Sequence, residues 1–139
     1  MDARAIFWPA VALALLTFVV WIRMFFVRVG EMRRLRIHPQ AVATSSQAAQ
    51  RFVDTRVADN FRNLFELPVL FYAALGIAFA IGAVDLPALV LAWLFVALRV
   101  LHSLIQCSYN RVMHRFRAYA AGGFVLWALW GWLVWHLWR

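Results

Sequence analysis

Two groups of polar residues interrupt an otherwise apolar chain, and both have helical spacing. Arg56, Asp59, Asn63 and Glu66 fall within a sector of ~80° when projected at ~100° per residue, with Arg62 about 40° outside it. Arg99, His102, Gln106, Tyr109 and Asn110 form a second stripe, about 100° wide. Such a set can hold a small charged molecule. Guanidinium groups form paired hydrogen bonds with carboxylates, a carboxylate holds an ammonium, and a side-chain amide can do either. The same stripes can instead brace a bundle, with Glu66 paired to Arg99 and Asn63 bonded across helices. More charges are present than one ion pair consumes, which favours a site.

Other chemistries are poorly served. His38, His102, His114 and His136 are scattered, and no His/Cys pair has ligand spacing, so no metal site is expected. Cys107 has no base placed to activate it and reads as a small buried residue. There is no Gly-rich phosphate loop, no Ser/His/Asp set, and neither the repeats nor the broken helices of a transporter.

The elements that must carry the stripes follow from composition. Of 139 residues, 65% are hydrophobic and 14% charged, against about 45–50% and about 25% in soluble domains. A globule of this size cannot hide so much apolar surface, so lipid must cover it. The expectation is an all-α fold: an integral membrane four-helix bundle in a single transmembrane domain, residues 1–139. Ile6 to Ile22 opens the first span. Leu67 to Val84 gives 18 residues without a charge, and Ala118 to Trp138 gives 21 without Arg, Asp or Glu. A third run starts at Leu86 and carries Arg99. About 20 helical residues cross ~30 Å of hydrocarbon, and backbone groups in lipid must pair within their own segment. The spacing predicts helices over approximately 5–36, 50–83, 86–112 and 115–138, with a loop over 37–50. The first reads as a retained span, because its apolar core is longer than that of a signal peptide.

The charge is +8, from 14 arginines, no lysine and 6 acids. Such a balance raises nucleic acid as a partner, but the arginines punctuate apolar runs and read better as topology signals. Nine lie in the 1–2 and 3–4 connections (Arg28, Arg33, Arg34, Arg36, Arg51, Arg56, Arg111, Arg115 and Arg117), against Arg4 and Arg139 on the other side. The positive-inside rule then places both Arg-rich loops in the cytoplasm and both termini outside. Arg99 is costly near a helix centre, at ~2.5–3.5 kcal/mol on insertion scales, and should face a bundle interior or wet cavity. Ala74, Ala78 and Gly82 repeat every four residues, as do Ala118 and Gly122; such rows let helices approach closely, within one subunit or between subunits.

Asn63-Leu64-Phe65-Glu66-Leu67-Pro68, opening the second apolar helix, resembles the Asn-x-x-Glu-x-(x)-Pro signature of the MAPEG proteins, the membrane-associated proteins in eicosanoid and glutathione metabolism. Arg56, seven before the Asn, and Arg62 match arginines found there. Arg99-Val100-Leu101-His102, followed by Tyr109-Asn110-Arg111, looks like the family's third-helix stretch. The resemblance implies a homotrimer with glutathione bound between subunits at the cytoplasmic side. It implies thiolate transfer to, or peroxide reduction of, a lipophilic substrate arriving from membrane lipid. On that reading Arg56, Arg62, Asn63, Glu66, Arg99, His102, Gln106 and Tyr109 hold glutathione, and Arg111 or Arg115 activates the thiol. Asp59 stands where eicosanoid synthases of the family have Arg, and Gln106 where several members have Tyr. One branch of the family is a non-catalytic lipid-binding helper, so the competing expectation is a membrane protein that holds a lipid or a partner protein.

Overall fold

The computed structural model describes residues 2–139. Six α-helices and two short 3-10 turns are present among them: α1 Phe7–Leu35, α2 Ser45–Arg51, α3 Arg56–Asn63, α4 Leu67–Ala80, α5 Leu86–Cys107 and α6 Val112–Trp138. Four stretches are long and apolar enough to cross a membrane: Ala3–Leu35, Arg56–Ala80, Leu86–Cys107 and Val112–Trp138.

Local chemistry explains the boundaries. At the end of α1, Arg36 adopts a left-handed conformation (φ 51). The Ile37 amide donates to the Met32 carbonyl and the Arg36 amide to that of Arg33, the pairing of a Schellman cap. His38-Pro39 then blocks further helix. Thr44 and Gln47 form a reciprocal capping box at the start of α2, satisfying two otherwise orphaned amides.

The helix expected over 50–83 is divided, and both breaks have a cause. Glu31 reaches from α1, and its Oε1 accepts from the amides of Val53 at 2.9 Å and Asp54 at 3.4 Å, pinning the chain extended between α2 and α3. Asp54 then accepts from the Arg56 amide. The second break falls at Leu64–Glu66. Pro68 has no amide hydrogen and its ring conflicts with the carbonyl four residues back. The chain crosses the break on tighter bonds, Phe65 to Arg62 at 2.9 Å and Glu66 to Asn63 at 3.4 Å. The helix expected over 86–112 stops at Cys107, and α6 begins at Val112 rather than 115. Asn110 takes a left-handed turn (φ 49) between them, a conformation Asn tolerates better than most residues.

Helix α5 is the centre of the bundle, packed along α6 and touching α1 and α3; α4 packs on α6, and α1 also packs on α3. The core is apolar at one end: Leu13, Phe71, Ala74, Leu75, Ala78, Ala88, Ala92, Phe95, Leu126, Leu129 and Leu133 are all buried. Phe71 and Phe95 stack with centroids 4.6 Å apart. Ala74 and Ala78 are packed inside this core, whereas Gly82 has open space and supplies the positive φ of the α4–α5 turn. Ala118 and Gly122 also pack within the chain, Gly122 against the side chains of Arg99 and Leu98. The outer faces of the spans carry exposed large apolar residues such as Trp8, Phe18, Phe26, Phe124 and Trp127, as expected of helices solvated by lipid.

Candidate functional site

Polar residues concentrate where α3, α5 and α6 meet. Asn60, Arg99, His102, Ser103 and Gln106 are all buried there. Ser103 Oγ donates to Asn60 Oδ1 at 3.2 Å, and Asn60 Nδ2 donates to Cys107 Sγ at 3.4 Å. This network is closed upon itself and ties α3 to α5.

A groove of about 230 Å3 opens beside it, lined by Asn63, Glu66, His102, Val112, Arg115, Phe116 and Tyr119. The break between α3 and α4 shapes one wall. It leaves the Glu66 carboxylate exposed and next to the Asn63 amide, 3.1 Å from Oε2 and 3.2 Å from Oε1. The Asn63 amide also lies 3.1 Å from that of Gln106. The orientation that satisfies all three groups has the Asn63 NH2 donating to Glu66 and its oxygen accepting from the Gln106 amide. On the opposite wall Arg115 Nη1 donates to Asn110 Oδ1 at 3.0 Å.

Arg99 lies beneath the groove. It is 1% exposed, and Nε, Nη1 and Nη2 are all buried without a hydrogen-bond partner. Its guanidinium lies 4.9 Å from the Tyr119 ring centre and 5.3 Å from that of Phe95. Two aromatic faces attract a cation, but they leave every N–H unused. The ion pair with Glu66 that the stripes allow does not form among the described residues. Tyr119 connects the two levels, since it lines the groove, stacks on Arg99 and leans against His102 at 5.9 Å. Gly122 faces the same guanidinium, and a Cβ there would lie 3.5 Å from Nη2.

The residues singled out by sequence therefore fall into two sets. Asn63, Glu66, His102 and Arg115 share the groove, Gln106 backs it and Arg99 lies below. Arg56, Arg62, Tyr109 and Arg111 stand elsewhere. Arg56 binds both Asp54 oxygens, at 2.9 and 2.8 Å, and the Ser108 carbonyl, clasping the start of α3 to the α5–α6 turn. Its guanidinium holds the Asp54 carboxyl below its ordinary pKa. Arg62 lies 3.6 Å from Asp59 and lines a separate cavity. Tyr109 is exposed and meets His114 Nδ1 at 3.2 Å. Arg111 is the exposed residue preceding α6.

Tyr119, Asn60 and Ser103 escape the sequence reading. Arg115, Tyr119 and Gly122 have the i, i+4, i+7 spacing of one helix face, and that signal is visible without a structure. Asn60 and Ser103 lie just off the two stripes, at equivalent offsets from Arg56 and Arg99. No cluster of His, Cys, Asp or Glu among the described residues could hold a metal ion.

Comparison with curated proteins and with solved structures returns no match. The family model described as MAPEG family matches residues 6–135. With four apolar helices long enough to span a bilayer and that match over nearly its whole length, this chain is an integral membrane protein belonging to the MAPEG family.

Proposed function

We propose that the chain binds glutathione in the groove between the α3–α4 break and α6, and activates its thiol for transfer to, or peroxide reduction of, a lipophilic substrate. The observation that carries this reading is Arg99. A buried cation with all three nitrogens unpartnered is costly, and a ligand supplying negative charge above it would offset that cost. Glutathione brings two carboxylates, an ammonium and a thiol. Glu66 suits the ammonium, and the charge of Arg99 beneath the groove suits a carboxylate held above it.

The groove geometry favours Arg115 over Arg111 as the thiol-activating group, because Arg115 lines it and Arg111 does not. A thiol with a pKa near ~8.5 is only a few per cent ionised at pH 7. Lowering that by two units takes ~2.7 kcal/mol, and one guanidinium at ~4 Å with an effective dielectric of ~20 supplies up to ~4 kcal/mol before desolvation. No general base is required. In transfer, the sulfur lone pair forms a C–S bond to an electrophilic carbon of a molecule dissolved in the bilayer, while the bond from that carbon to a leaving group breaks and the group departs with its electron pair, or a conjugated double bond opens and the resulting carbanion takes a proton from water. In peroxide reduction, sulfur attacks the O–O bond, and a second glutathione completes reduction to the alcohol, water and glutathione disulfide.

The groove's volume, about 230 Å3, is below the ~300–1,000 Å3 of complete ligand sites. A second subunit facing it would supply the remaining wall, and this supports a homotrimer with the site between copies. The arginine count supports a groove that opens at the cytoplasmic side. Titrating glutathione into the purified protein in detergent, with thiolate absorbance read near pH 7, tests the proposal. A saturable rise that Arg115→Ala abolishes while binding persists is the expected result. No rise and no thermal protection by glutathione would leave a non-catalytic holder of lipid or protein as the reading.

A further inference from the structure

A second cavity, of about 290 Å3, lies between α1, α2 and α3 and shares no lining residue with the groove. Its charged lining is two arginines and two aspartates: Arg28, Arg62, Asp54 and Asp59. The hydroxyl-bearing residues Ser45 and Thr55 also line it. These charges are not equally available. Asp54 gives both carboxylate oxygens to Arg56. Asp59 has only the loose 3.6 Å pair with Arg62. Arg28 lies 5.8 Å over the Phe52 ring, and its Nε is buried without a partner. The cavity therefore offers two guanidinium groups beside one carboxylate, Asp59, that is only loosely paired.

Below Arg28 on the same face of α1 stand Phe18, Trp21 and Phe25, exposed by 55%, 46% and 55%. Positions 18, 21, 25 and 28 have the i, i+3, i+7, i+10 spacing of one stripe. Ten residues at ~1.5 Å per residue give ~15 Å, which is half of the ~30 Å hydrocarbon core. The stripe is thus one leaflet long and ends at the charged cavity, which Arg28 lines.

We propose that this cavity binds a zwitterionic glycerophospholipid of the ethanolamine type. The phosphate lies against Arg28 and Arg62, the ammonium against Asp59, and the acyl chains run along Phe25, Trp21 and Phe18. An anionic headgroup would meet the aspartates without a compensating ammonium. A choline headgroup prefers aromatic faces, and Phe52 is already covered by Arg28. The primary ammonium has three N–H donors, which the Asp59 carboxylate and the two hydroxyls can accept.

Native mass spectrometry of the full chain, delipidated in mild detergent, tests this with equal concentrations of dioleoyl phosphatidylethanolamine, phosphatidylcholine and phosphatidylglycerol. The ethanolamine lipid is expected to show about tenfold higher occupancy than either other lipid, one charge-assisted contact being worth about that factor. Arg28→Gln should bring it down to the choline level. Ala58→Leu, which fills the cavity from α3 without removing a charge, should do the same and decides the matter if Arg28→Gln fails to fold. Equal occupancy by all three lipids, or an unchanged preference in the variants, would overturn the site. Soluble phosphoethanolamine at the lipid's concentration should not compete; equal competition would overturn the assignment to lipid.

Discussion

The two ends of the α5 helix solve opposite problems. Toward its start, Ala88, Ala92 and Phe95 meet Phe71, Ala74, Ala78, Leu129 and Leu133 in a core of buried apolar side chains, with the neutral Trp130 Nε1 buried beside it without a partner. Toward its end, Arg99, His102, Ser103 and Gln106 are equally buried. At the first end every residue contributes to packing. At the second, Asn60 and Ser103 complete each other, but Arg99 has no partner for any nitrogen. A sequence under pressure for stability alone would place an apolar residue at Arg99, because an ion buried without its partner is strongly destabilising. The contrast is what the proposed binding role of the polar end rests on: a site where stability is given up.

Substitutions at the two ends should therefore separate stability from binding. Phe71→Ala, in the apolar end, removes the ring stacked on Phe95 and should cost ~3–5 kcal/mol. Thermal unfolding in detergent measures it, with glutathione affinity unchanged wherever the variant remains folded. Glu66→Gln, in the polar end, removes the carboxylate proposed for the ligand ammonium. It should weaken glutathione by about tenfold, the worth of one charge-assisted contact, while moving the unfolding midpoint little because Glu66 is exposed. Calorimetric titration checks the affinity, and equal affinity in the variant would remove Glu66 from the site. Gly122→Ala is expected to stabilise by up to ~1 kcal/mol through helix propensity, since its Cβ would sit in ordinary contact, 3.5 Å from Arg99. A destabilisation there would show that Arg99 needs that space to move.

The smallest effect concerns the clasp outside the membrane. Asp54, held below its ordinary pKa by Arg56, contributes stability that is fully present above ~4, the unfolded carboxylate value. That stability is lost as pH falls through the lowered folded value. Asp54→Asn should therefore be less stable than the parent at pH 6, and the gap should close toward pH 3. Unfolding midpoints across that range measure it.

Much of this architecture is legible without coordinates, for a physical reason. Lipid demands ~20 apolar residues in a helix, so the spans from Ala3, Arg56, Leu86 and Val112 announce themselves through hydropathy. The polar stripes announce themselves because Arg99 cannot lie in lipid unattended. The interruptions are less visible. Pro68 lies two residues inside an apolar run and reads equally as a helix start or a kink, and nothing local shows that Glu31 reaches across to Val53. Projection on one continuous helix placed Arg56 beside Glu66, whereas the break at Leu64–Glu66 leaves Arg56 with Asp54 and Ser108 and turns Glu66 toward Asn63. Tyr119 is hidden for a different reason: an aromatic in a span is counted as apolar, and its contact with Arg99 depends on a neighbouring helix.

The central claim is that Arg99 is left unpaired for a ligand rather than for the fold. The thermal unfolding midpoint of Arg99→Met, with and without glutathione, tests it most directly. Without glutathione the variant should unfold at a higher temperature than the parent, because an apolar side chain there removes the desolvation cost of a buried guanidinium without hydrogen-bond partners. At a hundred times its dissociation constant, glutathione should stabilise the parent by ~2.7 kcal/mol and leave the variant unmoved. A variant that unfolds earlier than the parent yet keeps the full glutathione shift would contradict the account.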